Sequence, residues 1–199
     1  GPLVMVATDG ESYGHHFHFG DRTLAHALDV LASEQHMVFT HPAAVLAHHE
    51  PTHDVEIDHG PDGLGSSWSC AHGVGRWFRN CGCQTGGREG WSQAWRTPLR
   101  KALDYVRDEA IALFESQGPK FFEDPWAARD DYIHVILDPG ARPRFFERHA
   151  KTELSDADQV HAMTLLEMQH NAMLMYTSCA WFFSDLAGIE TLQIMKYAG

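Results

Sequence analysis

The stretch WSQAWRTPLRKALDYVRDEAIALFESQ (residues 91–117) decides the fold, because its apolar residues recur at helical spacing. The recurring positions are Trp95, Leu99, Ala102, Leu103, Val106, Ala110 and Leu113. Apolar residues three and four positions apart share one face of an α-helix, so this stretch predicts a long amphipathic helix. Similar patterns follow it, with helix-start signals at Asp124 and Ser155. The further helices predicted in this part of the chain cover 125–137, 142–149, 155–183 and 188–198.

The N-terminal part of the chain mixes strand and helix signals. Residues 3–8 form an apolar run that ends at Asp9, which is typical of a short buried strand. The pattern over 21–34 predicts an amphipathic helix, and 41–49 predicts a shorter one. Residues 55–57 fit a second short strand. The sequence therefore predicts a mainly α fold with a minimal α/β element at its front.

Composition and charge limit the class of protein. The chain has 199 residues, of which 44% are hydrophobic, and a net charge of −12. A chain of this size buries a core of its own, and the lack of a basic patch argues against nucleic-acid binding. No apolar run reaches the ~20 residues that span a bilayer, and the N-terminus lacks a signal-peptide pattern. We therefore expect a cytoplasmic protein without a membrane segment, in which cysteines are more often thiols or metal ligands than disulfides.

Residues 59–90 contain nine glycines and predict a long irregular loop. Loops of this length in compact domains are often functional. Cys70, Cys81 and Cys83 lie in this loop, and His72 lies among them. Soft thiolates select zinc or iron–sulfur clusters. Because the spacing differs from the paired C-x2-C of a zinc ribbon, buried thiols that bind nothing are the alternative interpretation.

The segment TDGESYGHH (residues 8–16) follows the first predicted strand. Asp9 and Glu11 are two residues apart and point the same way in an extended segment. Neighbouring carboxylates push their pKa values apart, which suits one of them to act as an acid near neutral pH. His15 and His16 can donate hydrogen bonds to sugar hydroxyls or bind a metal. The alternative is an ordinary Asp/Gly turn with an incidental pair of histidines.

Three stretches resemble motifs of glycoside hydrolase family 57. TDGESYGHH is similar to the family's fourth conserved region, and GSSWSCAHGVGRW (65–77) is similar to its fifth. YTSCAWFF (176–183) resembles a helical-domain motif of the branching enzymes, although Cys179 and Ala180 replace its Ser and Asp. The likeness extends to bacterial members in which the catalytic region runs into a domain of unknown function. It implies one or two strands from the end of a (β/α) barrel, followed by a helical bundle.

The resemblance also implies a division of the chain and roles for its residues. The implied parts are the end of a barrel-like catalytic region (1–58), a Gly/Trp/Cys-rich active-site loop (59–90) and a helical domain (91–199). By this likeness Asp9 is the general acid/base of a retaining α-glycosidase or transglycosylase, with Glu11 beside it. The implied substrate-binding residues are His15, His16, Trp68, Trp77 and Trp181. For the tryptophans, packing in the core or anchoring of the loop is the alternative.

The family likeness implies an oligosaccharide or α-glucan as substrate and no cofactor. A retaining enzyme needs a second carboxylate as nucleophile. The family's nucleophile is a Glu in a conserved region upstream of the Asp motif, whereas this chain starts one strand before Asp9. We therefore expect the chain to be inactive alone and to need an N-terminal half of the catalytic unit as its partner.

A different function follows if the cysteines hold a metal. The family likeness brings the loop near the helix that carries Cys179, so that Cys179 is expected to join Cys70, Cys81 and Cys83 as a fourth ligand. The chain is then a cysteine-ligated metal-binding module, with zinc or an iron–sulfur cluster in a structural or redox role. A helical structural domain with a decayed site is the third interpretation.

Overall fold

The computed structural model describes residues 3–199 and confirms that the chain is mainly helical. The α-helices are α1 (Gly20–His26), α2 (Ala32–Glu34), α3 (Pro42–Leu46), α4 (Arg96–Gln117), α5 (Pro125–Asp131), α6 (Ile133–Leu137), α7 (Arg142–His149), α8 (Asp156–Leu174), α9 (Ser178–Phe182) and α10 (Ile189–Tyr197). A π-helical turn, Ala27–Leu31, joins α1 to α2, so that helical backbone runs through the predicted segment 21–34. None of the helices between residues 3 and 199 is long and apolar enough to cross a membrane.

The predicted start signals of two helices are confirmed as caps. Asp124 Oδ1 accepts hydrogen bonds from the backbone N–H groups of Trp126 and Ala127, both at 3.0 Å. Ser155 Oγ accepts one from the N–H of Asp158 at 3.2 Å. Such caps satisfy donors that have no partner within the helix, and each stabilises its helix by ~1 kcal/mol.

The helix predicted over 155–183 is interrupted. It ends at Leu174, and α9 begins at Ser178. The carbonyl of Met175 accepts a hydrogen bond from Trp181 Nε1 at 3.1 Å. The indole thus satisfies a carbonyl at the end of α8, and the side chain of Trp181 folds back into the core.

The strands predicted at 3–8 and 55–57 are not confirmed. In the part of the chain that the structure describes, β-pairing is limited to isolated bridges: Tyr13 with Phe17, Ser67 with Cys70, and Phe122 with Ala150. A strand needs a neighbouring strand to pair its N–H and C=O groups, and none of these bridges involves the two predicted segments. The barrel-end element is therefore an expectation without structural support.

The chain divides into two compact units, one ending at Glu56 and the other covering Ile57–Gly199. In the described part of the first unit, Ala32 is the only buried residue, and the apolar run from Leu3 to Val6 is exposed. The core therefore lies in the second unit.

Two apolar clusters form this core. The first lies among α4, α5, α6, α7 and α8 and contains Phe114, Phe121, Phe122, Ala128, Tyr132, Val135, Phe145, Phe146, Ala162, Leu165 and Leu166. The second lies among α4, α8, α9 and α10 and contains Leu103, Ala172, Met175, Ala180, Trp181 and Ile194. Trp77 of the long loop packs against the second cluster. The helical core thus offers the loop an apolar surface to rest on.

Candidate metal centre

Two short segments of the long loop supply four potential metal ligands. Cys70 and His72 come from the segment Cys-Ala-His, and Cys81 and Cys83 come from the segment Cys-Gly-Cys. Each segment places its two ligands two residues apart. A turn of 3₁₀ helix, Gly75–Trp77, lies between them and helps return the chain to the first segment.

Three of the separations between ligand atoms match the edges of a tetrahedral zinc site. Cys70 Sγ lies 3.7 Å from Cys81 Sγ and 3.8 Å from Cys83 Sγ, and Cys83 Sγ lies 3.4 Å from His72 Nδ1. All four atoms are within 4.8 Å of one another. For zinc–sulfur bonds of about 2.3 Å and a zinc–nitrogen bond of about 2.0–2.1 Å, a regular tetrahedron places sulfurs about 3.8 Å apart and sulfur and nitrogen about 3.5 Å apart. The three contacts agree with these edges.

The fourth member of the group is His72, whereas Cys179, which the sequence predicts as the fourth ligand, lies outside it. Cys179 is exposed on α9 and is a free thiol outside the group. Its neighbours Ala180 and Trp181 are buried, so α9 turns those residues toward the core and leaves Cys179 facing solvent. The ligand set predicted from the sequence does not include His72, although His72 lies in the same loop. The signal that favours it is the repeated i, i+2 spacing, C-x-H followed by C-x-C.

Backbone donors support the thiolate form of Cys70. Burial raises the pKa of this thiol, but hydrogen bonds from the backbone N–H groups of Arg76 and His72, with contacts from Cys81 and Cys83, lower it to about 7. Burial raises the pKa of the Cys81 thiol. Because a thiolate is the form that binds metal, the N–H donors prepare Cys70 as a ligand.

Two buried arginines lie beside the cysteines. Arg76 and Arg96 are 4% and 0% exposed, and among the described residues neither forms an ion pair. Burial and repulsion from Arg76 lower the pKa of Arg96 to about 10, and the charges of Cys70, Cys81 and Cys83 oppose this shift. A buried cation is costly without a compensating charge. Three thiolates around one divalent ion would carry a net charge of −1, which offsets one of the two arginine charges.

Arg96 also fastens the loop to the helices. Its guanidinium donates to the carbonyl of Arg76 at 2.7 Å and to that of Phe183 at 3.1 Å, and it also donates to the carbonyl of Trp181. These carbonyls belong to the loop, to α9 and to the residue that follows α9. Charge-assisted hydrogen bonds are stronger than neutral ones, so Arg96 holds the metal loop at a fixed place on α4.

Glycine is required beside the ligands. Gly73 follows His72 with φ +69°, and a Cβ at this position would lie 2.6 Å from the carbonyl oxygen of Gly65. Both the left-handed backbone and the close approach exclude a larger residue. Gly73 thus allows the tight turn that directly follows His72.

The loop also forms one wall of an open cavity of about 600 Å³. The lining residues are Leu64, Val74, Trp77, Phe78, Thr97, Arg100, Lys101, Asp104, Tyr176 and Trp181. Trp77 Nε1 donates to the carbonyl of Ser178 at 3.1 Å, and the Trp77 carbonyl accepts from Arg100 at 3.2 Å. Asp104 accepts from the Tyr176 hydroxyl at 2.7 Å, and burial together with Asp104 raises the pKa of Tyr176 to about 12. The cavity is therefore lined by four aromatic side chains, with polar groups along α4.

The structure separates the three tryptophans predicted to bind substrate. Trp77 and Trp181 both line this cavity, although Trp181 is only 1% exposed and mainly packs in the core. Trp68 is 84% exposed and lies outside the lining. For Trp181, nearly all of the side-chain surface is therefore buried in the core, as the alternative of core packing predicts.

The predicted catalytic residues lie in the other compact unit. Asp9 and Glu11 are exposed at a 3₁₀ turn, Gly10–Ser12. The ring centroids of His15 and His16 are 4.9 Å apart in an edge-on contact, and the His16 N–H donates to the Glu11 carbonyl at 3.0 Å. All four residues are exposed within the short segment 9–16, and the only side-chain contact among them in the described chain is between the two histidine rings.

The comparisons with known proteins identify a family over the C-terminal part of the chain. Residues 91–199 match the family model described as "Domain of unknown function (DUF3536)". The loop that carries the Cys/His group precedes the matched region. No curated protein and no solved structure matched the chain. The match covers more than half of the sequence, and the chain belongs to the DUF3536 family.

Proposed function

We propose that the second unit is a zinc-binding module in which Cys70, His72, Cys81 and Cys83 hold one ion. The observation that carries this proposal is the position of four ligand atoms within 4.8 Å of one another, on side chains from two segments of one loop. Three sulfurs and one imidazole nitrogen are a ligand set typical of structural zinc.

The spacing supports a single ion over an iron–sulfur cluster. In an iron–sulfur cluster the cysteines are divided among two or more iron atoms, so that three cysteine sulfurs do not all share one metal ion. Here Cys70 Sγ is within 3.8 Å of both other sulfurs, and the imidazole nitrogen of His72 completes a compact group. This arrangement fits the edges of one coordination tetrahedron.

The role that fits this site is structural. A catalytic zinc ion keeps an open position for water or substrate, whereas four protein ligands fill the tetrahedron. The ion joins the two ends of the segment 70–83, and that segment contacts the helices through Arg76 and Trp77. Zinc thus fixes the loop on the helical core. This matters because the described residues of the loop form little regular secondary structure beyond the 3₁₀ turn Gly75–Trp77.

The proposal is tested by elemental analysis and a thiol count on the purified protein. We expect one zinc per chain, and only Cys179 reactive with a thiol reagent under native conditions. Cys81→Ser should lose the zinc, while Cys179→Ser is the matched control and should keep it. Metal-free protein with four reactive thiols, or equal zinc loss in both variants, would contradict the proposal.

A second candidate function is part of an α-glucan-active enzyme of glycoside hydrolase family 57. The motifs around Asp9, Trp68 and Trp181 support it, and so does the match of 91–199 to a domain of unknown function, which fits the family members in which such a domain follows the catalytic region. The specific structural observation in its favour is the cavity lined by Trp77, Phe78 and Tyr176, since aromatic faces stack on sugar rings. Under this proposal Asp9 supplies acid/base catalysis and a separate N-terminal half supplies the nucleophile.

Calorimetric titration with maltooligosaccharides tests the second candidate. We expect weak binding that is lost in Trp77→Ala and kept in Trp91→Ala, a partly exposed tryptophan outside the cavity lining. We expect no hydrolysis by the chain alone. Equal affinity in the two variants would exclude this cavity as the sugar site, and turnover that survives Asp9→Asn would exclude the role of Asp9.

A further inference from the structure

The three cysteines of the metal group are close enough to react with one another. Cys70 Sγ is in contact with the sulfurs of both Cys81 (3.7 Å) and Cys83 (3.8 Å). Cys70 is buried, whereas Cys81 and Cys83 are partly exposed. An oxidant from solvent therefore reaches Cys81 or Cys83 first, with Cys70 already positioned behind them.

We propose that this loop is also an oxidative modification site: a peroxide converts Cys81 and Cys70 into a disulfide and thereby releases the zinc. The inference rests on the proposed zinc site and adds a regulation to it. The buried Cys70 is the resolving residue, because it is the sulfur that touches both exposed partners.

The reaction balances with hydrogen peroxide as the oxidant. The Cys81 thiolate attacks one peroxide oxygen, the O–O bond breaks, and the departing hydroxide takes up a proton to become water. Cys81 is then a sulfenic acid. The Cys70 thiolate attacks the Cys81 sulfur, the S–O bond breaks, and the second hydroxide leaves as water after protonation. Two thiolates, one peroxide and two protons give one disulfide and two waters.

Zinc release follows from the loss of ligands. A disulfide sulfur has no thiolate charge to offer, so the ion keeps only His72 and Cys83. Two ligands do not hold a structural zinc, which needs four. The two ends of the segment 70–83 are then no longer joined by the ion. Trp77 lies in this segment, so the cavity wall that Trp77 forms is held less firmly.

The test starts from protein whose zinc content has been measured. Hydrogen peroxide is added, released zinc is followed with a chromogenic chelator, and the products are mapped by peptide mass spectrometry. We expect one zinc released per chain, and a peptide linking Cys70 to Cys81 with a mass lower by two hydrogen atoms. A reductant together with added zinc should restore the original zinc content.

Variants separate this inference from the zinc proposal itself. Cys179→Ser should behave as the wild type, because the exposed Cys179 lies outside the group. In Cys70→Ser the cross-link between residues 70 and 81 cannot form, so peroxide should give a sulfenic or sulfinic acid at Cys81 or a disulfide between Cys81 and Cys83. Protein purified without zinc contradicts the proposed function. Protein that has zinc and keeps it under peroxide, or that forms disulfides only through Cys179, contradicts the inference alone.

Discussion

At the scale of single residues, the Cys/His group depends on the backbone conformation next to His72. His72 lies two residues after Cys70, and its Nδ1 is 3.4 Å from Cys83 Sγ. Gly73 turns the chain directly after it with φ +69°. The position of His72 in the group thus depends on the left-handed backbone of Gly73.

Replacing His72 by Ala should weaken zinc binding by more than the roughly 10- to 100-fold that loss of an outer-shell contact costs, because a direct ligand is lost. His72→Cys should restore binding by completing a Cys₄ site. His134→Ala is the control, since His134 is exposed on α6 outside the group. Competition with a chromogenic chelator measures the affinities. Equal zinc affinity in His72→Ala and the wild type would show that the site does not include His72.

Gly73→Ala should destabilise the protein more than Gly63→Ala does. Both glycines have positive φ, at +69° and +68°, so both variants carry the left-handed backbone cost of about 1–2 kcal/mol. At Gly73 the new Cβ also meets the Gly65 carbonyl oxygen at 2.6 Å, whereas at Gly63 it meets nothing within 4 Å. Urea unfolding measures the difference. If the two variants lose the same free energy of unfolding, the close approach at Gly73 has no energetic weight.

A carboxylate of α5 should make the stability depend on pH. Hydrogen bonds from His149 at 2.8 Å and from Arg148 at 2.9 Å hold the pKa of Asp131 below its ordinary value of 3.8. A depressed pKa in the folded state stabilises the protein at pH values above the ordinary pKa, and this contribution is lost as the pH falls through the folded value. Asp131→Asn should therefore reduce the free energy of unfolding at pH 7 and reduce it less at pH 3. A constant difference between pH 3 and pH 7 would contradict this role.

At the scale of secondary-structure elements, the loop is held by contacts to α4 and α9. Arg96 at the start of α4 donates to carbonyls of the loop and of the chain around α9. Trp77 donates from the loop to the first residue of α9, Ser178. The metal group and these two side chains together fix an irregular segment that has few backbone hydrogen bonds of its own.

Arg96→Lys should destabilise the protein by roughly 2–4 kcal/mol, because one ammonium cannot reach all of these carbonyls and the unpaired ones remain buried. Arg148→Lys is the matched control: Arg148 is largely exposed and its ion pair with Asp131 is worth at most about 1 kcal/mol. Chemical denaturation of the zinc-loaded proteins gives both values. Similar losses in the two variants would mean that Arg96 does not hold the loop in place.

The helices of the second unit could be predicted from the sequence, because apolar periodicity and capping residues are local signals. Asp124 and Ser155 cap the helices that they were expected to start. The break between α8 and α9 was not predictable from local signals, because it depends on a hydrogen bond from Trp181 to the Met175 carbonyl. The strand expected at 3–8 needs a pairing partner, which no local pattern can supply.

The candidate site was predictable only in part, for the same reason. Three cysteines within one loop indicated a metal group, and the structure brings all three together. The family likeness predicts Cys179 as the fourth ligand, whereas α9 exposes Cys179 and the fourth member of the group is His72. The i, i+2 spacing in the sequence, C-x-H and C-x-C, indicates the four members of the group better than the family likeness does.

At the scale of the whole molecule, zinc should stabilise the second unit and not the first. The metal ligands and both core clusters lie in Ile57–Gly199. Removing the ion with a strong chelator should lower the thermal midpoint and open the segment 59–90 to protease, because binding to the folded form alone stabilises it. Limited proteolysis with mass mapping shows where cleavage begins. An unchanged cleavage pattern after verified zinc removal would mean that the ion does not hold the loop.

The zinc site is defined by the identity of the atoms around the ion. The measurement that tests this is X-ray absorption at the zinc edge of the protein as purified. The structure predicts three sulfur neighbours at about 2.3 Å and one nitrogen neighbour at about 2.0–2.1 Å. A shell of four sulfurs, a shell of oxygen and nitrogen only, or protein without zinc would contradict the account.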